Sequence, residues 1–307
     1  MCQVSRYINL FTDFGFKKIF GDPDNTDLLL SLLNDILGFA GERKIEKIIF
    51  KNGELLPEAP EERKAIIDLL CEDENGSQFI VELQKVSQEH FQSRALYYTS
   101  FPIQQQGIKG GWNFELTPVY FIGLLNFEIE RFKDHDEYLH HGKIVDIHTN
   151  KIMYDKLNMI YLEIPKLKKT KEELSNHLEW WIYVFQNLHM MNDIPKELNS
   201  DVIKNTFERA EFANMPKNEQ ENYHKNLKVY RDLVNSFDFA IKEGHRLGRE
   251  EGLEQGIEQG IEQGQKLGLH KKTMEVARLS IAQGLDNETI ATITALSIDE
   301  IERLRKE

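Results

Sequence analysis

Apolar residues at spacings of three and four, Leu29, Leu32, Leu33 and Ile36, predict a helix over Asp27–Leu37 that begins near Asn25 or Thr26 and stops at Gly38. The preceding TDFGFKKIFGDPDN is punctuated like a turn, and Phe11, Phe14, Phe16 and Phe20 are its expected anchors in the core. Ile45 to Leu55 reads as a first strand. Two runs rich in Ile, Val, Leu and Phe follow, Lys64 to Cys71 and Gln78 to Val86, with Glu-Asp-Glu-Asn-Gly-Ser between them. That composition predicts a β-hairpin. Gln88 to Lys109 then reads as a helix with Phe91, Leu96, Tyr98 and Phe101 on its apolar side and a kink or break at Pro102. The almost unbroken apolar run Leu116 to Phe127 suits a strand buried on both faces. Lys143 to His148 and Met159 to Ile164 add two more strands.

Beyond Pro165 the pattern turns helical. Thr170 and Glu173 form a capping box ahead of Leu174, Leu178, Trp181, Phe185 and Leu188. Pro195 and Pro216 punctuate further helices, and Tyr223, Leu227, Tyr230, Val234, Phe237 and Ile241 have heptad spacing. Glycine then recurs at every fourth position from Gly244 to Gly268. Each glycine costs ~1 kcal/mol against alanine in a helix, and Glu254, Glu258 and Glu262 repel at i, i+4. A marginal helix or flexible connector that firms up on self-association is the expectation. In the tail, Ala277, Ile281, Ile290, Ile293, Leu296, Ile301 and Leu304 form a small core in a helix-turn-helix outline, with a second capping box at Ser297 and Glu300. The last helix opens on acids, where a DNA-reading helix meets its target. A protein-interaction module fits better.

A chain of 307 residues, 40% hydrophobic, buries a full core and has room for more than one domain. With only Cys2 and Cys71, a reducing cytoplasm is expected. The opening residues carry no signal-peptide pattern and no apolar run approaches the ~20 residues of a membrane helix. A net charge of −13 counts against a polyanionic partner. Lys17, Lys18, Lys64, Lys85, Arg94 and Lys109 are the basic groups available to line one cleft, Arg94 and Gln105 being placed to reach phosphate. Asp13 and Lys17 are read as surface residues, and so are His140 and His141, which face apart on a strand.

The hairpin carries the chemistry. Asp68 and Glu82 are carboxylates flanked by aliphatic residues, and strand alternation puts Glu82 and Gln84 on one face with Lys85 pointing away. A two-residue Asn75-Gly76 turn sets Asp68 opposite Leu83. A three-residue Glu74-Asn75-Gly76 turn sets it opposite Glu82. In the second register the carboxylates stand ~5 Å apart, and a divalent cation between them relieves the repulsion. Oxygen ligands favour Mg²⁺ or Mn²⁺. Gln84 is then placed to position a water. The competing reading is an edge hairpin with one solvated polar face.

Asp68 followed across a hairpin by Glu82-x-Gln84 and a helix resembles the PD-(D/E)XK nuclease superfamily, with glutamine in the usual lysine position. The ordered set TDFGFKKIFG, IIDLLCEDENG, FIVELQ, FQSRALYYTS and LTPVYFIGLLNF is similar to the recombination-promoting nuclease (Rpn) family, whose members are also described as PD-(D/E)XK family transposases. The likeness covers about residues 9 to 165. It implies an α/β restriction-endonuclease-like core, a mixed central sheet flanked by helices, over residues 1–168. A helical domain at 169–243, a glycine-repeat connector at 244–270 and a helical module at 271–307 would follow. It further implies a Mg²⁺-dependent DNA endonuclease with Asp68, Glu82 and the Leu83 carbonyl on the metal and Gln84 as catalytic partner. The alternative is a regulatory binding protein on a nuclease scaffold, assembling as a homo-oligomer through its C-terminal helices; the acidic charge favours it.

Overall fold

The computed structural model describes residues 5–55, 65–107, 113–198 and 200–306. In chain order it contains α1 (Asp13–Phe20), α2 (Asp27–Leu37), β1 (Ile48–Phe50), β2 (Glu54–Leu55), β3 (Ala65–Ile66), β4 (Leu69–Asp73), β5 (Gln78–Gln84), α3 (Phe91–Gln105), β6 (Val119–Leu125), β7 (Leu139–Val145) and β8 (Ile152–Glu163), followed by α4 (His177–Asn187), α5 (Asp201–Ala210), α6 (Lys217–Ala282), α7 (Asn287–Thr294) and α8 (Ile298–Lys306). The main sheet has the order β1-β4-β5-β6-β8-β7. Its centre, β5-β6-β8, is parallel, and antiparallel strands complete both sides. This is the mixed sheet with flanking helices of a restriction-endonuclease-like α/β fold.

Strand alternation sorts the residues between two faces. Leu69, Cys71, Phe79, Val81, Leu83, Ile122 and Leu124 join α1, α2, α4 and α5 in the larger core, where Phe20 stacks on Phe185 at 5.5 Å. Leu70, Ile80, Phe121 and Leu125 join Phe91 and Ala95 of α3 in a smaller core on the other face. The close fit of α3 depends on Gly123, since a Cβ there would meet Phe91 and Tyr161 at 3.2 Å each. The segment expected as a separate helical domain shares the larger core with the sheet, through Trp181, Phe185, Phe207 and Tyr223.

Several local expectations change. TDFGFKKIF is a helix and not a turn, because Thr12 caps it through Gly15 N–H at 2.9 Å and Phe16, Ile19 and Phe20 bury one face. The strand expected over Ile45–Leu55 is split into β1 and β2, and Lys64–Cys71 breaks between β3 and β4. There Ile67 N–H turns away to the Gly53 carbonyl at 3.0 Å, and β3 pairs instead with β2 in a two-stranded sheet. Pro102 lies inside α3 without ending it, and the helix forgoes the one i→i−4 bond that its missing N–H would make. The Thr170–Glu173 box caps a single 3₁₀ turn, and α4 starts later, with Asn176 accepting from Glu179 N–H at 2.9 Å.

The chain divides into two compact units, 1–237 and 238–307. In the second, Ala277, Ile290, Ile301 and Leu304 form the small core that links the end of α6 to α7 and α8. The glycine repeat, expected as marginal or flexible, lies within the 66-residue α6. Arg246 pairs with Glu243 at 2.5 Å and Glu250 at 2.7 Å, and Lys266 with Glu262 at 2.5 Å. No helix among the described residues is long and apolar enough to cross a membrane.

Candidate active site

The turn decides the register. Asp73 N–H donates to the Ser77 carbonyl at 3.0 Å, leaving Glu74-Asn75-Gly76 as the loop with Gly76 at φ +78°. Asp73 also takes the Asn75 and Ser77 N–H groups on its carboxylate, at 2.9 and 2.8 Å. Leu69 faces Val81 in the last pair of the ladder, and Asp68, in the bend just before β4, comes beside Glu82. Glu82 and Gln84 alternate with Leu83 onto the α3 face of the sheet, the face of Ile80.

Asp68 and Glu82 lock each other through backbone. Asp68 N–H donates to Glu82 Oε1 at 3.1 Å, and Leu83 N–H donates to Asp68 Oδ2 at 2.9 Å. Gln84 Nε2 donates to Glu82 Oε2 at 3.3 Å, while its carbonyl oxygen accepts from Arg94 Nη2 at 2.9 Å. Arg94 Nη1 reaches Gln88 at 2.5 Å, so the guanidinium fixes which end of the Gln84 carboxamide faces the carboxylates. Glu82 is 5% exposed and Gln84 8%. Burial, then the neighbouring Asp68, pushes the Glu82 carboxyl up to about 8. Burial raises Asp68 as well, against the Leu83 N–H bond that lowers it.

Of the surrounding charges, Asp13 and Lys17 are residues read as surface, and Lys85 is one of the basic groups read as available to the cleft. Asp13 of α1 pairs with Lys85 at 2.6 Å on the opposite face, and Asp13, Lys17 and Lys85 all act electrostatically on Asp68. The signal available for this was α1 itself, whose periodic Phe16, Ile19 and Phe20 dock it on the sheet beside β5. Of the other basic groups, Lys18 pairs with Glu219 at 2.7 Å, and Lys64 and Lys109 lie outside the described residues. Gln105 is exposed about three turns beyond Arg94 and does not join it.

His140 departs from its surface reading. It stacks on Phe132 at 4.3 Å, and its Nε2 meets Glu163 Oε2 at 2.9 Å. Glu163, fully buried, also binds Lys166 at 2.7 Å and accepts from Ile129 N–H. This cluster ties β7, β8 and the preceding loop together. His141 does not share it.

A family model described as PD-(D/E)XK nuclease family transposase matches residues 10–240. The chain belongs to that family. Comparison with curated proteins and with solved structures gives no match. Membership supports a nuclease-like function, and PD-(D/E)XK nucleases typically use divalent metals. Within this PD-(D/E)XK fold the donor chemistry fits such an ion. N–H and C=O of one strand residue leave on the same edge, so the Leu83 carbonyl faces the edge where its N–H meets Asp68. Ile67, the ladder partner that edge would otherwise have, bonds Gly53. Two carboxylates and a carbonyl are hard oxygen donors suited to Mg²⁺ or Mn²⁺. Among the described residues no group of three or more His, Cys, Asp and Glu converges.

Proposed function

We propose that the protein is a Mg²⁺-dependent DNA endonuclease, also served by Mn²⁺, that hydrolyses phosphodiester bonds. The observation that carries this reading is the pairing of half-buried Asp68 with buried Glu82, whose hydrogen bonds from Leu83 N–H, Asp68 N–H and Gln84 all come from neutral donors. When bound, the ion supplies polarisation of a phosphate and acidification of a water. Asp68, Glu82 and the Leu83 carbonyl hold it. Gln84, set by Arg94, orients the attacking water through its carboxamide. Being neutral, Gln84 gives less help to a developing oxyanion than lysine would, and a modest rate is expected. The proposal covers hydrolysis; it includes no strand-joining step.

The test is cleavage of supercoiled plasmid and of single-stranded DNA by purified protein. Cleavage that requires Mg²⁺ supports the enzyme. DNA binding without cleavage, in either metal, favours the regulatory scaffold to which the net charge of −13 points.

We also place the protein in the cytoplasm and assign self-association to the chain beyond residue 243, where Leu253, Ile257 and Ile261 are more than half exposed on α6. Deleting residues 244–307 should leave a folded, cleaving protein of lower assembly state. Sedimentation at matched concentration decides; equal states for both lengths rule the assignment out.

A further inference from the structure

Beside the hairpin, on the first turns of α3, lies a cleft of about 540 Å³ lined by His90, Phe91, Arg94, Tyr97 and Tyr98. It is continuous with the candidate active site, because Arg94 lines it and also holds Gln84 at 2.9 Å. Its volume is that of a small-ligand pocket and not of a duplex groove. Phe91 is buried at its floor, with the Arg94 guanidinium 5.6 Å from the ring centroid. Tyr97 is 43% exposed and braced edge-to-face on Phe101 at 5.1 Å, which presents the ring as a rigid platform. The lining carboxylate, Glu89, is 90% exposed and sits 3.7 Å from His90, so the cationic side of the cleft is the side next to Gln84.

An aromatic platform with a cation at one end is the chemistry that receives a base on its face and a phosphate at its edge. Paired bases keep their faces inside the stack and cannot use it. The acidic chain also lacks the broad positive field that holds a duplex by its phosphates. We propose that this cleft takes one unpaired nucleotide flanking the scissile bond, its base on Tyr97 and its phosphate towards Arg94. The substrate class is then single-stranded DNA, or duplex with an unpaired segment. This rests on the nuclease reading for its position beside the scissile bond.

The experiment measures binding by fluorescence anisotropy in chelator, with one labelled oligonucleotide used single-stranded and as a blunt duplex. The proteins are full-length wild type, Tyr97→Ala and Tyr97→Phe, with circular dichroism to confirm folding. Wild type should bind the single strand at least ~10-fold more tightly than the duplex. Tyr97→Ala should lose ~10-fold on the single strand, the range of one base–aromatic stack, and under ~2-fold on the duplex; Tyr97→Phe should keep the wild-type preference. Equal wild-type binding of both forms, or a Tyr97→Ala loss that is absent or shared equally, overturns the proposal. The nuclease reading fails separately: a single-strand preference without Mg²⁺-dependent cleavage leaves the cleft assigned and removes the enzyme.

Discussion

Glu82 and Glu163 are both glutamates buried in the same sheet, on β5 and β8, with β6 between them. Their surroundings differ in charge. Glu163 is met by Lys166 at 2.7 Å and His140 at 2.9 Å, and the Lys166 ammonium is in turn held by the carbonyls of Phe132, His135 and Glu137 at 2.6, 2.8 and 3.3 Å. Glu82 is met by a second carboxylate and by neutral donors. A buried carboxylate with its cation supplied by the chain is finished structure; one facing another carboxylate is kept protonated or receives a cation from outside. The comparison teaches that burial of an acid does not by itself mark a site. What marks it is the sign of the charge placed against it.

The largest break expected in that comparison is chemical. Asp68→Ala or Glu82→Ala should reduce Mg²⁺-dependent cleavage to background while the protein stays folded, measured on plasmid with matched circular dichroism. Cleavage at the wild-type rate by either variant removes the pair from the mechanism. The converse change is Lys166→Met, which strands Glu163 without its internal cation. It should cost ~3–5 kcal/mol in denaturant unfolding, yet leave cleavage per folded molecule unchanged. A specific loss of cleavage at full stability would mean that the Glu163 cluster is functional after all.

The turn offers a smaller lever. Gly76→Val forces a β-branched residue to φ +78°, at a cost of ~1–3 kcal/mol, and should weaken Mg²⁺ binding through the register it controls. Gly76→Asn, which tolerates that region, should do so much less. Calorimetric Mg²⁺ titration of the two variants compares them directly; equal affinities would disconnect turn from site.

The smallest effect is in pH. The Glu82 carboxyl is raised in the folded state from 4.5 to about 8, so its contribution to stability is fully present below the unfolded value and is lost as pH rises through about 8. In chelator the melting temperature should therefore fall by several degrees, on the order of 5 °C, between pH 5 and 8.5. Asp68, also raised, adds in the same direction. Glu82→Gln should flatten the slope, and Mg²⁺ should restore stability at the alkaline end. An unchanged slope in Glu82→Gln would place the titration elsewhere.

Much of this was legible from residues alone wherever local chemistry dictated the outcome. The periodic leucines and Gly38 fixed α2 to its observed bounds, since amphipathicity and a left-handed stop are both local. The unbroken apolar run of β6 announced a strand covered on both faces. For the hairpin, the residues left two registers open, with opposite consequences for Asp68. The choice between them is made locally, by the Asp73 side chain, which gathers the Asn75 and Ser77 N–H groups and closes the three-residue loop. The break at Ile67 was hidden because it depends on Gly53, fourteen positions away by number, accepting a bond the hairpin would otherwise use. Asp13, Lys17 and Lys85 around Asp68, and His140 against Glu163, belong to the same class. Periodicity reports which face of an element is buried, but not which charged end of another element is brought against it. That pairing exists only once the sheet and helices have packed.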